Sequence, residues 1–334
     1  MNAKHLRSGV LLLALILMPL TGMAESARID YSEPLQQFEL QKNAQGEAVR
    51  FNAFGKRFDV SLAPNQNVLS MAVREHLADD VGVYRGSVDG MPGSWVRLVV
   101  EDGVPRGLLW DGSEMYAIEA DKDAPGTAHM FRLNDVQIPP GSMTCAQATG
   151  PKTASDLLSA VSKDVGPRVA EAPGAELSLD LGVVADFEFA SAKGSSARTA
   201  IVTRINNVDG IFSEQLGVQI NLAGTEIFET SNDPLTNQSD GGLLLDEVTD
   251  YRAANPSQSA NGLTHLFTGR DLDGSTVGVA YTGALCSQRF GAGLTQGTHS
   301  ESLDSLIAAH EIGHNFGAPH DGTPGSACEG TAQD

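Results

Sequence analysis

Three histidines near the end of the chain, in the segment HEIGHNFGAPHDG (residues 310–322), have a spacing that could hold one metal ion. On a helix, His310 and His314 share one face because they lie four residues apart. Gly317 allows a sharp turn, since glycine reaches positive φ at little cost, and the turn can bring His320 back to the same ion. Three imidazoles that leave a fourth position to water are typical of a catalytic zinc site rather than a structural one.

The chemistry predicted for such a site is hydrolysis of a peptide bond. Zinc lowers the pKa of a bound water molecule and polarises a carbonyl oxygen. Glu311, beside the first histidine, is expected to take the water proton as general base and to pass it to the leaving amine as general acid. An ordinary helix with core or surface histidines is the alternative, but the full HExxHxxGxxH spacing is a strong signal for the zinc site.

Alternating strands and helices are predicted around this segment, from residue 177 onward. A helix is expected over residues 301–316, beginning near Ser300 or Ser302, so that it carries the first two histidines. Helical spacing of apolar residues predicts further helices over 201–212, capped from Ser195 or Ser196, and over 241–254. Strands are predicted over residues 177–187, 217–224, 262–269, 276–283 and 290–295. This order is typical of an α/β layer built on a mixed sheet.

The N-terminal half has a different pattern, which predicts an all-β unit over residues 25 to about 145. Residues 58–65 and 94–120 alternate apolar and polar side chains, and Asp102-Gly103 and Asp111-Gly112 are typical of hairpin turns. Residues 139–155 and 162–176 lose this alternation and gain Pro, Gly, Ser and Thr, as linkers do. We therefore expect one domain over residues 25–172 and a second over 173–334.

Residues 1–24 are predicted to be a secretory signal peptide. Lys4 and Arg7 precede the apolar run VLLLALILMPL, and the small residues Gly22 and Ala24 follow it, so cleavage is expected after Ala24. This run is too short to span a bilayer, and no later segment is apolar enough to do so. The mature protein is therefore expected to be secreted, with no membrane association after removal of the signal.

The formal net charge of −20 is concentrated in the second half of the chain. From residue 173 onward there are 21 Asp and Glu residues against 6 Lys and Arg residues. Such a surface repels nucleic acid and anionic lipid, and the charge by itself assigns no partner. The partners expected from the predicted hydrolysis of peptide bonds are protein or peptide substrates. The charge pattern gives no prediction of oligomeric state.

The segment HEIGHNFGAPHD resembles the zinc site of the metzincin proteases, and Asp321, directly after the third histidine, resembles their adamalysin (reprolysin) branch. Residues 179–187, 204–228 and 265–286 are similar to strands and a helix of that branch's catalytic domain, and residues 53–65, 84–100 and 107–119 to its propeptide. The resemblance implies a secreted zinc endopeptidase made as a zymogen. It also implies an α/β metzincin-like catalytic domain, with a mixed twisted sheet and an active-site helix, preceded by a mostly β propeptide domain.

The resemblance assigns expected roles to residues outside the histidine motif. Cys145 lies where the family's propeptide ends, and its thiolate could occupy the fourth zinc position and keep the zymogen inactive. The surrounding SMTCAQ lacks the family's fuller switch pattern, and a cysteine without this role or in a disulfide is the alternative. Asp180 matches a carboxylate of the family's calcium (Ca2+) site. The edge strand predicted over 276–283 could pair with an extended substrate.

The sequence also departs from the family. Three cysteines are an odd number for an exported protein; the resemblance implies a partner for Cys286 beyond residue 334, and a Cys286–Cys328 disulfide is the alternative. Metzincins place a methionine turn after the third histidine, but no methionine follows Met143 here. We therefore expect a chain truncated before that turn. The competing hypothesis is a catalytically incomplete zinc-binding or protein-interaction module.

Overall fold

The computed structural model describes residues 27–35, 38–43, 46–147, 177–236 and 238–320. The predicted signal peptide, the predicted boundary at residue 172, Asp321 and Cys328 lie outside the described residues. Below, residues 27–143 are called the N-terminal domain, residues 144–147 the arm, and residues 177–320 the C-terminal domain.

The N-terminal domain is a β structure, as predicted. Its strands are β1 (Arg28–Ile29), β2 (Glu33–Pro34), β3 (Gln41–Asn43), β4 (Gly46–Ala53), β5 (Lys56–Pro64), β6 (Gly82–Val88), β7 (Trp95–Glu101), β8 (Val104–Trp110), β9 (Met115–Ala120), β10 (Ala128–Arg132) and β11 (Val136–Gln137). Nine of these strands form one antiparallel sheet, in the order β2-β10-β9-β8-β7-β6-β5-β4-β3, and β1 pairs with β11. One short helix, α1 (Met71–Arg74), and a 3-10 turn over Leu133–Asp135 connect strands.

Both predicted hairpin turns are confirmed. Asp102 and Gly103 join β7 to β8 with φ of 50° and 77°, the left-handed conformation that such tight turns require. Asp111 and Gly112 lie between β8 and β9, where the Asp111 carboxylate accepts a hydrogen bond from the backbone N–H of Ser113 at 2.9 Å. The alternating apolar side chains of this sheet form a buried cluster that includes Phe51 and Phe58. Burial alternates along β4 and β5, as a period of two requires, whereas β7 is buried on both faces.

The C-terminal domain has a mixed sheet with helices on both faces, which confirms the predicted α/β layer. The strands of the domain are β13 (Leu177–Ala185), β14 (Val218–Ile227), β15 (Leu263–Thr268), β16 (Thr276–Ala280) and β17 (Ala292–Gln296), and the arm adds β12 (Thr144–Gln147) to the same sheet. The helices are α2 (Phe187–Lys193), α3 (Ala197–Leu216), α4 (Gly241–Ala254), α5 (Pro256–Ser259) and α6 (Glu301–Asn315). The sheet order is β12-β16-β17-β15-β13-β14, and only the β16–β17 pair is antiparallel.

Successive residues along a strand of this sheet pack against the helices on opposite faces. Val183 belongs to the apolar cluster shared with α3 and α6, whereas the next residue, Val184, belongs to the cluster shared with α4. Because successive side chains of a strand point to opposite faces, a strand covered on both faces reads as a continuous apolar run. No helix in the described parts of the chain is long and apolar enough to cross a membrane.

Two expectations for the secondary structure are wrong. Residues 139–155 were expected to be linker, but Thr144–Gln147 form strand β12, parallel to β16. Pairing with an exposed sheet edge uses main-chain groups, so it needs no periodic side-chain pattern. Ser196 precedes α3 but makes no side-chain capping bond, because its backbone (φ −87°, ψ 5°) is not in the extended conformation of a capping residue.

Candidate metal centre

Helix α6 carries the first two histidines of the motif. It begins after Ser300, whose hydroxyl accepts a hydrogen bond from the Leu303 N–H at 3.3 Å, as expected for an N-cap. The buried Ala308 and Ile312 fix the helix against the core shared with α3. His310 and His314, one turn apart, lie with their ring centroids 4.5 Å apart.

The chain turns back after the helix and returns the third histidine to the first two. Gly317 has φ of +100°, and its N–H donates to the His314 carbonyl at 2.8 Å. The ring of His320 lies 4.5 Å from that of His314 and 5.2 Å from that of His310, measured between centroids. The Nε2 atoms of His314 and His320 are 3.0 Å apart. The structure therefore brings together the three histidines that the spacing predicted as ligands.

His314 is oriented by a backbone contact. Its Nδ1 lies 2.7 Å from the carbonyl oxygen of Ala318, an acceptor that requires the proton to be on Nδ1. The lone pair is then on Nε2, the nitrogen that faces His320. A ring nitrogen that donates to a carbonyl is the usual support for a metal-ligating histidine. Burial, and secondly the nearby His314, lower the pKa of His320.

Cys145 joins the histidines from the arm. Strand β12 runs parallel to β16 in a register that sets Cys145 opposite Gly278. The Sγ atom of Cys145 and one nitrogen of each of His310, His314 and His320 all lie within 4.8 Å of one another. Burial, and then the nearby Glu311 carboxylate, raise the pKa of the Cys145 thiol well above its usual range. A cation among these atoms would reverse that effect, because zinc deprotonates a thiol that coordinates it.

This set of donors fits zinc. Three imidazole nitrogens and one sulfur are a common zinc ligand set, and tetrahedral geometry with bonds of about 2.0–2.3 Å places ligand atoms roughly 3.3–3.6 Å apart. The observed spacing, from 3.0 Å between the His314 and His320 nitrogens to an upper limit of 4.8 Å, needs only small side-chain rotations to reach that geometry. In the described part of the chain, no other group of three or more carboxylate, imidazole or thiol ligands is brought together in this way.

Glu311 is fully buried beside this cluster. Its Oε2 accepts a hydrogen bond from Cys145 Sγ at 3.4 Å, and no group in the described ranges donates to its Oε1. Burial raises the pKa of the Glu311 carboxyl to about 8, and the Cys145 hydrogen bond opposes this shift. A cation among the neighbouring histidines would lower this pKa and favour the carboxylate form that a general base needs.

Two residues that support the site were not found from the sequence. Gly278 leaves room for the Glu311 carboxylate, since a Cβ at position 278 would lie 2.3 Å from Oε1. The Asn315 amide donates to the carbonyls of Tyr281 and Ala292, both at 2.9 Å, and so ties the end of α6 to the sheet. The sequence around Gly278 (VGVA) and around Asn315 (HNF) gives no sign of either role, because both roles depend on contacts between distant segments.

The other predicted site residues lie elsewhere. Asp180 is on β13, where its carboxylate accepts a hydrogen bond from Asn221 at 2.7 Å, and it belongs to no cluster of metal ligands in the residues described. Cys286 is exposed and forms no disulfide with another described residue. His265, a histidine outside the motif, is buried, and desolvation lowers its pKa to about 3.

Comparison with known proteins gives matches over both halves of the chain. A reprolysin family model, described as "Metallo-peptidase family M12", matches residues 178–334. Snake venom metalloproteinase TM-1 of Protobothrops mucrosquamatus is 34% identical over 154 residues, which cover 44% of this chain and 75% of that protein. The match therefore spans most of the relative's own length.

Two further matches extend over the N-terminal half. Disintegrin and metalloproteinase domain-containing protein 19 of Mus musculus is 26% identical over 308 residues, which cover 86% of this chain and 33% of that protein. The chain thus spans about a third of the length of this relative. The crystal structure of metalloproteinase-II from Bacteroides fragilis aligns with a TM-score of 0.47 and 12% identity over 83% of this chain and 82% of that one.

Proposed function

The chain belongs to the reprolysin-type zinc metalloendopeptidases of family M12, and from this membership we propose that His310, His314 and His320 bind the zinc ion and that Glu311 is the general base. The observation that carries the proposal is the convergence of the three histidine nitrogens within 4.8 Å, beside a buried carboxylate. Bound there, zinc would supply an acidified water molecule and polarise the scissile carbonyl.

The protein's own residues provide the proton transfer and the binding of the substrate. Glu311 takes the proton from the attacking water and returns it to the leaving amine. The edge strand β16 offers main-chain groups to an extended peptide, whose scissile bond would then lie beside Glu311. Since Gly278 lies on β16 against the Glu311 carboxylate, the strand and the base are already adjacent.

The N-terminal domain and the arm are proposed to keep the enzyme inactive. Strand β12 occupies the edge of β16 that a substrate would need, and Cys145 stands among the three histidines. A thiolate there would complete the tetrahedral set and exclude water from the fourth position. The protein is accordingly a zymogen, secreted by means of residues 1–24, and calcium binding at Asp180 stays a prediction of the family resemblance.

The proposed activity is tested with an unstructured protein substrate. The chain is first cut within residues 148–176, the segment that joins the arm to the C-terminal domain. The cut protein, loaded with zinc, is then expected to hydrolyse the substrate at internal peptide bonds. Mapping the cleavage products by mass spectrometry distinguishes endopeptidase activity from trimming of ends. Absence of any cleavage by cut, zinc-loaded protein would favour the alternative of a zinc-binding module.

Replacing Cys145 with alanine in the uncut protein is expected to raise its activity about tenfold, equivalent to removing roughly 1.4 kcal/mol of inhibition. We expect a partial effect because the alanine variant loses the thiolate ligand but keeps β12 on the edge of β16. The measurement is the rate at which uncut variant and uncut wild type cleave a short fluorogenic peptide. Gels of the same samples show that the chain is uncut. Cys286→Ala, at an exposed cysteine, is the matched control, and equal latency of Cys145→Ala and wild type would contradict the proposed role.

A further inference from the structure

Helix α3 is buried on the side that faces away from its own sheet. It packs on β14 of the C-terminal domain and on β7 and β8 of the N-terminal domain. The second contact includes polar side chains that are buried, namely Thr199, Asn206 and Asp209. Polar side chains are buried in this way only where they have partners. In this case the partners come from the N-terminal domain.

A charged pair lies at the centre of this contact. Arg97 of β7 donates from Nε to the Asp209 carboxylate at 2.9 Å, and the two side chains are only 3% and 6% exposed. Asn65 donates to the same carboxylate at 3.1 Å and to the Asn206 side chain at 2.9 Å. Gly210 permits the close approach, because a Cβ there would lie 2.7 Å from Arg97 Cγ. Separation of the domains would leave both members of this charged pair without their partners.

The N-terminal domain also continues the C-terminal sheet at its far edge. Leu69 forms a parallel bridge with Leu222 of β14, through hydrogen bonds from Ser70 N to Leu222 O (3.1 Å) and from Leu222 N to Val68 O (2.8 Å). Val68, Leu69 and Val73 belong to the same apolar core as α3 and β14. With β12 at β16, the described N-terminal segments therefore cover both edges of the sheet. An uncovered edge is a site for unwanted strand pairing.

A second contact reaches the helix that carries the metal-site histidines. The Glu119 carboxylate of β9 accepts hydrogen bonds from the backbone N–H of Ser302, at 3.1 Å, and from its hydroxyl. A carboxylate is favourable there because the first turn of a helix has unpaired N–H groups and the positive end of the dipole. Glu101 accepts from Thr199 on α3 at 2.6 Å. The N-terminal domain therefore binds both α6, which carries two of the histidines, and α3, against which α6 packs.

From these contacts we infer that the N-terminal domain stays bound to the C-terminal domain as a non-covalent subunit after the segment joining them is cut. Activation then consists of displacing the arm, residues 144–147, from β16 and the histidines, while Arg97, Asn65 and Glu119 keep their contacts. The interface on α3 combines buried apolar side chains, among them Val99, with a charged pair that is almost fully buried. This inference does not depend on zinc or on catalysis.

The test uses the whole chain with a recognition site for a sequence-specific protease placed within residues 151–170, in a Glu311→Gln background to avoid self-digestion. After cutting, the two fragments are expected to co-elute on size exclusion at about 0.1 µM, which requires a Kd well below that concentration. They should separate only in denaturant. Elution as two separate folded fragments under native conditions would overturn the inference, whatever the activity of the enzyme.

A pair of variants tests whether the buried charged contact is responsible. Arg97→Gln is expected to raise the dissociation rate of the cut complex by at least about tenfold, because truncating one member of a buried charged pair acts mainly on the dissociation rate. Arg57→Gln is the control, because Arg57 also pairs with an aspartate, Asp59, but at the surface. The dissociation rate of the cut Arg57→Gln complex should equal that of wild type. Equal rates for the two variants would contradict the assigned interface. If Arg97→Gln does not fold, Glu119→Ala, in the contact to α6, takes its place with the same expectation.

Discussion

Replacing Glu311 with glutamine is expected to lower kcat for peptide hydrolysis by roughly 10²–10⁴-fold, the usual effect of losing a general base. Glutamine has nearly the same size, so it fits the space left by Gly278, but its amide cannot accept and return a proton. Zinc should stay bound, because the three histidines are unchanged. The measurement is kcat on a fluorogenic peptide together with zinc content, for protein cut within residues 148–176. Glu229→Gln, at an exposed glutamate of the same domain, is the control.

His314→Ala provides the contrast that separates base from ligand. Its Nε2 is one of the clustered nitrogens, and its Nδ1 contact to Ala318 orients it, so the alanine variant should lose both zinc and activity. His76→Ala, at an exposed histidine of the N-terminal domain, should change neither. If Glu311→Gln cleaves as fast as wild type, Glu311 is not the base. If it loses zinc as completely as His314→Ala, the division between ligands and base is wrong.

Removing the Asp304 carboxylate is expected to cost about 3–5 kcal/mol of stability, the typical result of breaking a buried ion pair. Asp304 on α6 accepts from Arg204 Nη2 on α3 at 2.6 Å, and both side chains are 0% exposed. The guanidinium of Arg204 lies against the rings of both Phe189 and Phe267, so in Asp304→Ala water cannot reach it easily. The free energy of unfolding from urea titration, with the N-terminal domain attached, gives the value.

The matched control for this prediction is Asp250→Ala in the same domain. Asp250 pairs with Arg289 at the same distance, 2.6 Å, but the two side chains are 69% and 55% exposed. An exposed pair contributes only about 0–1 kcal/mol, so this variant should be close to wild type. If Asp304→Ala lowers the free energy of unfolding no more than Asp250→Ala does, the buried Arg204–Asp304 pair does not stabilise the packing of α6 on α3.

The parts of the fold that sequence could predict are those set by local pattern. The spacing of apolar residues identified α4 and α6, and Ser300 correctly marked the start of α6, because amphipathic periodicity and capping act within one segment. The alternation in residues 94–120 similarly located β7, β8 and β9 with both of their turns. For the metal site, the i, i+4 offset of His310 and His314 and the turn at Gly317 follow from helix geometry and glycine's conformational freedom alone.

The parts that could not be predicted depend on contacts between distant segments. Strand β12 forms in a stretch with linker composition, because β16 supplies the pairing groups. The apolar spacing over residues 201–212 assigned no role to Asn206 and Asp209, yet both are buried under β7 and contact Asn65 and Arg97. Likewise, Gly278 gains its significance from a glutamate 33 residues later, whose carboxylate would meet any side chain there. None of these relations has a period or a motif in the sequence.

The central claim is that peptide-bond hydrolysis by this chain depends on zinc held by His310, His314 and His320. The most direct test measures bound zinc and the cleavage rate in one sample of cut protein, before chelation, after removal of the metal, and after zinc is restored. We predict that one zinc ion per chain is present in the active sample, that zinc and activity are lost together, and that both return in proportion. Proteolysis that continues at the full rate in protein shown to contain no zinc would contradict the claim.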